Sequence, residues 1–417
     1  MQAEQQPQVL IIGAGPAGLS MAAALADAGF ASTVLEQAPL AQIADPAEDG
    51  REIALTHRGM AVLQQLGAWQ DLPPEQISPL RRAHVFDGSE PRFLGFEPGE
   101  PDAAGQLGAL VPNHWLRRIA YQGALRRAGL IQLRCEARMR SLSLQADAAS
   151  VTLESGETLR APLLIAADSR FSNARRLAGI GAEMRDFGRG VIVCRMAHEE
   201  KDHEATALEC FHYGHTMAWL PLNGRQSSLV LTMDSQPLQE MLAWDEARFT
   251  AWVQEQSLGQ LGKLQLIGPR HHYPLVATYA HRFAAQRFAL IGDAAVGMHP
   301  VTAHGYNFGL YGVQTLAGLL KGAADPGDAA LLQRYAAEHR RATWPIYQGT
   351  NAVVKLFTDE RPGARLLRRG VLALAGRLPP LKAAISAQLT GKPWRPPLPK
   401  LPSLPDLPFF KRPLNRP

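Results

Sequence analysis

Three glycines near the N-terminus have the spacing of a phosphate-binding turn. Gly13, Gly15 and Gly18 follow the apolar run Val9–Ile12 and open a stretch rich in alanine and leucine. In a strand–turn–helix unit these glycines permit the tight turn, the approach of a pyrophosphate and close packing of the helix. Glu36 ends the next strand-like run, where an acid accepts hydrogen bonds from an adenosine ribose and disfavours a 2′-phosphate. The pattern predicts a dinucleotide other than NADP, although a glycine-rich turn without a nucleotide is the alternative.

Two later acids also close strand-like apolar runs. Asp168 lies in IAADSRFSNAR, and Asp293 lies in IGDAA, which continues through MHPVTAHGYN. Taken alone, Asp168 fits a helix N-cap and Asp293 fits a solvated loop acid. Their order after the glycine motif indicates one composite site.

The elements around these residues predict an α/β fold. The N-terminal strand, turn, helix and second strand form a βαβ unit, which belongs to a parallel sheet. Runs between Gly190 and Met233 alternate as antiparallel strands, with Asn223 and Gly224 as a turn. The apolar run before Gly292 is expected to return to the parallel sheet, and the chain after Asp325 reads as helical.

Composition restricts the function classes. At 46% apolar and 19% charged residues, the 417-residue chain is expected to be globular, with two or three domains. A net charge of +5 is mild, and no nucleic-acid partner is predicted. Cys135, Cys194 and Cys210 lack metal-ligand spacing, so we expect reduced thiols, no metal and a cytoplasmic protein. The start lacks the basic region of a secretory signal, and its glycines argue against a membrane span over Val9–Ala28.

The three blocks together resemble the class A flavoprotein monooxygenases of the p-hydroxybenzoate hydroxylase type, from about residue 8 to residue 350. Arg51 in GREIALTHRG, Asn113 in VPNHWLRR and the pair of strands MAWLPLNGRQSSLVL agree with this family. Within the class, HPVTAHGYNFGL is similar to the loop of the ubiquinone-biosynthesis hydroxylases (UbiH/UbiF group), which commonly reads HPIAGQGFNLGL. That loop and DSRFS, where the family usually has Asp-Gly, are most similar to the UbiM branch.

The resemblance implies FAD as the cofactor. The residues implied to bind it are Gly13, Gly15, Gly18, Glu36, Arg51, Asn113, Asp168, Gly292, Asp293, Pro300, Gly305 and Asn307. In the family, the Gly-Asp block contacts the flavin ribityl chain, and the proline after it lies beside the isoalloxazine. The middle block serves FAD and NAD(P)H, so NAD(P)H is expected as a transient reductant; no second GxGxxG motif is present to hold it.

The implied domain organisation is discontinuous. A Rossmann-like FAD-binding domain is interrupted by an antiparallel β-sheet substrate domain, and a C-terminal helical region follows. The expected boundaries are 1–75, 105–180 and 275–330 for the FAD-binding domain, 76–104 and 181–274 for the substrate domain, 331–390 for the helices and 391–417 for a proline-rich tail.

The implied reaction is hydroxylation of an aromatic ring by O2. Reduced flavin would form a hydroperoxyflavin, whose distal oxygen passes to an electron-rich carbon of a polyprenyl phenol or quinol in ubiquinone biosynthesis, such as a demethoxyubiquinol. A base that removes a phenolic proton would activate the ring. His299, Pro300 and His304 are candidates beside the flavin, and Tyr213 and His215 are candidates on the substrate sheet; none is nominated as essential, because each is also explained by packing.

Two alternatives remain from the sequence. One is a class A hydroxylase of a soluble aromatic metabolite, and the other is a non-catalytic flavin-binding member of a ubiquinone-biosynthesis complex. A flavin-dependent halogenase is disfavoured because no tryptophans form its WxWxI motif.

The C-terminal region is strongly basic. Between Ala364 and Asp406 the sequence has no acid, and Arg365, Arg368, Arg369 and Arg377 alternate with leucines and valine. This pattern predicts a basic amphipathic helix up to Pro379, followed by a proline-rich tail that cannot continue it. Residues 364–417 together are predicted to contact the inner face of an anionic membrane. The alternative is a helix packed on its own domain, followed by a disordered tail.

Overall fold

The computed structural model describes residues 7–88, 93–98, 105–212, 214–299, 304–359, 361, 363, 368, 370 and 371. Its strands in chain order are β1 Val9–Ile12, β2 Ser32–Leu35, β3 Glu52–Leu55, β4 Ser78–Leu80, β5 Arg82–Asp87, β6 Phe93–Phe96, β7 Gly108–Pro112, β8 Ile131–Arg134, β9 Met139–Leu144, β10 Ala149–Leu153, β11 Thr158–Ala161, β12 Leu163–Ala166, β13 Ala182–His198, β14 Thr206–Phe211, β15 His215–Leu222, β16 Gln226–Asp234, β17 Leu264–Ala280, β18 Ala284–Ala285, β19 Phe288–Leu290 and β20 Val296–Gly297. Its α-helices are α1 Pro16–Asp27, α2 Leu40–Ala44, α3 His57–Gln65, α4 Asn113–Leu125, α5 Asn173–Leu177, α6 Ser235–Leu242, α7 Glu246–Gln256, α8 Gly305–Leu320 and α9 Ala329–Thr358.

The first sheet carries the N-terminal βαβ unit. Its strand order is β18-β19-β12-β1-β2-β8, and β19, β12, β1, β2 and β8 pair in parallel. Strands β1, β2, β12 and β19 are buried along their whole length, as parallel strands covered on both faces must be. The predicted return of the chain before Gly292 to this sheet is confirmed, because β19 lies beside β12.

The second sheet has the order β20-β17-β13-β16-β15-β14-β5-β6. The predicted antiparallel strands of the substrate domain are present in it, and one pair departs from the antiparallel pattern. Strands β14 and β5 run parallel, with Thr206 opposite Arg82 and Phe211 opposite Asp87. A parallel pair needs a long crossover, and here the crossover is the intervening chain from β6 to β13.

The two faces of the second sheet have different coverings. Ile192, Met217, Trp219 and Leu231 lie on one face and pack with side chains of α6 and α7. Successive residues of a strand point to opposite faces. Val191, Val193, Ala218, Val230 and Thr232 therefore lie on the other face, where they line a cavity. The covering helices α6 and α7 had not been assigned from the sequence.

Two long strands run from this second sheet towards the first sheet. Strands β13 and β17 are 17 residues each and pair along most of their length. Their register shifts between Asp186 and Gly190, where the Asp186 carboxylate accepts a hydrogen bond from the Gly188 N–H at 2.9 Å. The resulting bulge brings Phe187 to His299, with 5.0 Å between ring centroids.

The end of the described chain folds back onto the second sheet. Phe357 in α9 packs on Phe211 at 4.2 Å between ring centroids. The Arg368 side chain is fully buried and donates to the Asp87 carboxylate at 3.1 Å. Arg368 therefore faces the protein interior, whereas most of the predicted membrane-contacting segment lies outside the described residues. Within the described ranges, no helix has both the length and the hydropathy needed to span a bilayer.

Candidate active site

A continuous cavity of about 730 Å³ lies between the first sheet and the apolar face of the second. Gly15, Asp168, Gly292 and Asp293 line it where the parallel strands end. Side chains of β13 to β17 line much of the remainder, together with residues of β3, α4 and α8. The carboxyl ends of parallel strands are where open α/β sheets bind ligands.

At each of the three N-terminal glycines, the lack of a side chain has a different structural role. Gly13 adopts a φ of +103°, and a Cβ there would lie 2.7 Å from the Ala167 carbonyl oxygen. A Cβ on Gly18 would collide with the carbonyl oxygen of Gly13, so helix and turn are in direct contact. Gly15 has no atom within 4 Å of its Cβ direction and lines the cavity. The backbone at Gly15 is therefore open to the cavity.

The Glu36 carboxylate is fixed beside this turn. Its Oε2 accepts from the Ala14 N–H at 2.7 Å, and its Oε1 accepts from the Ala38 N–H at 2.9 Å. The first turn of α1 has no side-chain cap and no acidic residue, so its N–H groups face the turn without a competing anion. A helix N-terminus of this kind favours phosphate.

Asp168 presents one satisfied and one unsatisfied carboxylate oxygen. Its Oδ2 accepts from the N–H groups of Asn173 at 2.9 Å and Ala174 at 3.3 Å, which places it at the start of α5. Its Oδ1 is buried and has no hydrogen-bond partner among the described residues. Buried carboxylate oxygens are normally satisfied, so Asp168 fits a site that a polar ligand completes.

Asp293 is joined to the Asp168 block by arginines. The carboxylate accepts from Arg170 Nη2 at 2.9 Å, while Arg170 Nη1 donates to the Val276 carbonyl at 2.9 Å. Arg175 Nη1 donates to the Ala294 carbonyl at 3.0 Å. The two motifs of the sequence therefore meet through Arg170 and Arg175, to which the sequence analysis had given no role.

Arg51 and Asn113 converge on a residue that the sequence analysis missed. Arg51 Nη2 and Asn113 Nδ2 donate to the Asp49 carboxylate at 2.6 and 2.7 Å. The Tyr273 hydroxyl donates to the Asp49 carbonyl at 2.6 Å, and Arg51, Asn113 and Tyr273 line the cavity. Asp49 thus positions a cation at the wall of the predicted cofactor site.

Gly305 and Asn307 begin α8 and differ in position. Gly305 lines the cavity. Asn307 is fully buried; its Oδ1 accepts from the Thr56 N–H at 3.0 Å, and its Nδ2 donates to the Ala54 carbonyl at 2.8 Å. Asn307 therefore fastens the β3–α3 junction to α8, and any effect on a cofactor would act through this junction.

The flavin-loop histidines are buried. His299 lines the cavity, and burial, assisted by Arg189, lowers its pKa to about 4. It is therefore neutral near pH 7. His304 is buried and lies 5.6 Å from the Phe308 ring. Pro300 lies outside the described residues.

Of the substrate-sheet candidates, His215 points away from the cavity. It lies on the same face of β15 as Met217 and Trp219, and its ring is 5.1 Å from that of Trp252 in α7. The cavity face of β15 instead carries Thr216 and Ala218. Tyr213 lies outside the described residues.

Two acids inside strands also line the cavity and were missed. Glu52 Oε1 accepts from Arg195 at 2.9 Å, its Oε2 has no described partner, and burial raises its pKa to about 7 against the opposing effect of Arg195. Burial raises the pKa of Glu209 to about 8. A glutamate within a short run of otherwise apolar residues was the signal that would have found Glu209, whereas Glu52 directly follows Arg51 and begins its apolar run.

The chain matches the family model described as FAD binding domain over residues 6–350. It is 44% identical to the ubiquinone hydroxylase UbiM of Neisseria meningitidis serogroup C, over 92% of this chain and 84% of that protein. It is 36% identical to the ubiquinone hydroxylase UbiL of Rhodospirillum rubrum, over 91% of this chain and 88% of that protein.

Among solved structures, p-nitrophenol 4-monooxygenase PnpA from Pseudomonas putida matches with a TM-score of 0.73 and 17% identity, over 93% of this chain and 99% of that one. This likeness shows that the fold is shared. The glycine turn, the Glu36 carboxylate and the unsatisfied Asp168 oxygen fit the diphosphate and hydroxyl groups of FAD. The chain belongs to the FAD-binding-domain family and, within it, to the flavin-dependent monooxygenases.

Proposed function

We propose that this monooxygenase hydroxylates the ring of a polyprenyl phenol or quinol in ubiquinone biosynthesis, a substrate of the demethoxyubiquinol type. The observation that carries the proposal is the continuous cavity, which joins the FAD residues to the apolar face of the second sheet. An apolar cavity of this kind accommodates an aromatic ring with few polar substituents. The names of the relatives at 44% and 36% identity support the same class of substrate.

The residues of this chain have two roles: some bind FAD, and others exclude water from the cavity. The Gly15 turn and α1 would hold the diphosphate of FAD, and the Glu36 carboxylate would accept from the adenosine ribose. Asp293, held by Arg170, would accept from the ribityl hydroxyls. Bound FAD, once reduced, supplies the electrons with which O2 is activated. The apolar walls at Val191 and Val230 exclude water from the reacting ring.

The reaction balances with an external reductant. One oxygen atom of O2 becomes the new ring hydroxyl and the other leaves as water, while NAD(P)H gives two electrons. We propose that NAD(P)H binds transiently near the Asp168 block, where Ser169, Arg170 and Phe171 line the cavity.

Deletion of the gene followed by mass spectrometry of cellular quinones tests the proposal. We expect an under-hydroxylated polyprenyl intermediate to accumulate in the deletion strain. Reintroducing the gene with the Asp293→Ala substitution should not remove this intermediate. A normal quinone profile would favour the hydroxylase of a soluble aromatic. Accumulation that the Asp293→Ala copy reverses would instead favour a non-catalytic role in a biosynthetic complex.

For the location of the protein, we propose peripheral contact with the cytoplasmic face of the membrane through residues 364–417. A substrate that resides in the bilayer favours such contact. The test is sedimentation with anionic liposomes, comparing the full chain with a truncation after Val371, which keeps the contact of Arg368 with Asp87. Equal sedimentation of the two proteins at low salt would contradict the proposal.

A further inference from the structure

One carboxyl group lies on the apolar wall of the cavity. Glu209 is in β14, opposite Ala218 of β15 and Val85 of β5. The same row continues across the sheet through Val230 and Val193. Because Ala218 is small, the neighbouring position leaves open space beside the Glu209 side chain.

The Glu209 carboxyl is directed into the cavity. The side chain lines the cavity and is only partly exposed, although protein atoms surround it densely. Its remaining accessible surface therefore faces the cavity. Among the residues that the structure describes, none donates a hydrogen bond to this carboxyl or forms an ion pair with it, and burial alone raises its pKa to about 8. The group is thus mainly an uncharged acid at neutral pH, able both to donate and to accept.

The other cavity acids have partners within the protein. Glu52 is paired with Arg195 at 2.9 Å, and Asp293 is paired with Arg170 at 2.9 Å. A buried polar group without a partner destabilises a protein, and an apolar residue at Glu209 would avoid that cost. The carboxyl is therefore explained by a partner that arrives with the ligand.

We propose that Glu209 hydrogen-bonds a ring hydroxyl of the substrate and thereby sets which edge of the ring faces the flavin. This inference rests on the proposed function and adds the residue that orients the substrate. An uncharged acid and a hydroxyl can each donate and accept, so the pair satisfies both groups in an apolar environment. A cationic amine would require the ionised carboxylate, which burial disfavours.

The test uses prenylhydroquinone with a single isoprene unit and its dimethyl ether, which cannot donate from the ring oxygens. Binding to the FAD-loaded protein is measured by the change in flavin absorbance. The variants are Glu209→Leu and Glu209→Gln. Glu204→Gln is the matched control, because Glu204 lies just before β14, is 71% exposed and pairs with Arg82 outside the cavity.

We expect Glu209→Leu to bind the hydroquinone about 2- to 13-fold more weakly, and to lose the preference for it over the dimethyl ether. Glu209→Gln should retain part of the preference because an amide also donates and accepts. Before ligand is added, the flavin absorbance should be the same in every variant, which shows that each is folded and loaded.

Two results would overturn different claims. If Glu209→Leu keeps the wild-type preference, Glu209 does not bind the ring hydroxyl, and the proposed function is unaffected. If wild-type protein binds neither compound, the proposed substrate class itself fails. An increased KM with unchanged kcat in Glu209→Leu would show that only binding depends on Glu209; a fall in kcat with altered product position supports the orienting role.

Discussion

Removal of the Asp293 carboxylate is expected to weaken FAD binding. The side chain is 37% exposed and is held by Arg170 at 2.9 Å, so it is positioned before the cofactor binds. A hydrogen bond from a hydroxyl to a carboxylate contributes about 1.5–3 kcal/mol, which corresponds to about 10- to 150-fold in affinity. Because the carboxylate is partly exposed, we expect the loss of FAD affinity in Asp293→Ala to lie in the lower half of that range.

The assay is titration of the apoprotein with FAD, followed by quenching of flavin fluorescence. Asp293→Asn keeps an acceptor oxygen without the charge, so its effect should be smaller than that of alanine. Asp27→Ala is the control, because Asp27 forms a comparable ion pair with Arg127 at 2.6 Å, outside the cavity. An Asp293→Ala dissociation constant within about twofold of wild type would refute a ribityl contact.

Three further changes have distinct outcomes. Glu36→Ala should weaken FAD binding about tenfold, because it removes a hydrogen-bond acceptor that the backbone holds in position. Turnover at saturating FAD should stay unchanged. Reduced turnover at saturating FAD would contradict a role confined to the adenosine end of the cofactor. Asn307→Ala should lower the free energy of unfolding by about 2–5 kcal/mol in urea titrations, because the Thr56 N–H and the Ala54 carbonyl lose their partner; a loss below about 0.5 kcal/mol would refute this. Since the folded-state pKa of Glu209 is about 8 against 4.5 for the free group, the folded protein loses stability through this group as pH rises from 4.5 to 8. The loss is at most about 5 kcal/mol. Glu209→Gln should flatten this part of the stability–pH curve, and an unchanged slope would contradict the burial of Glu209.

Local spacing was enough to predict the cofactor end of the fold. At Gly13, Gly15 and Gly18 the requirement for glycine comes from contacts and conformation within a single turn. The motif is therefore sufficient to predict the structure of that turn. The β19 run was also predictable, because a short, wholly apolar run is typical of a buried parallel strand.

The residues that face the cavity on the substrate sheet could not be predicted from the sequence of any single strand. Which face of β15 meets the cavity depends on its register with β14 and β16, and the candidate His215 lies on the opposite face to Ala218. The parallel pairing of β5 with β14 and the burial of Arg368 against Asp87 join segments far apart in the chain. Contacts of this kind are set by tertiary packing and leave little trace in local periodicity.

The pairing of β13 with β17 has a mechanical consequence. At about 3.3 Å per residue, strands of 17 residues extend over roughly 55 Å, from the apolar face of the cavity to the neighbourhood of the first sheet. A hydrogen-bonded ribbon of that length resists bending across its plane, and its register is interrupted beside Phe187. Rotation of the substrate sheet as a rigid lid would have to break this ribbon. Substrate entry is therefore expected to involve side chains and loops at the rim of the cavity.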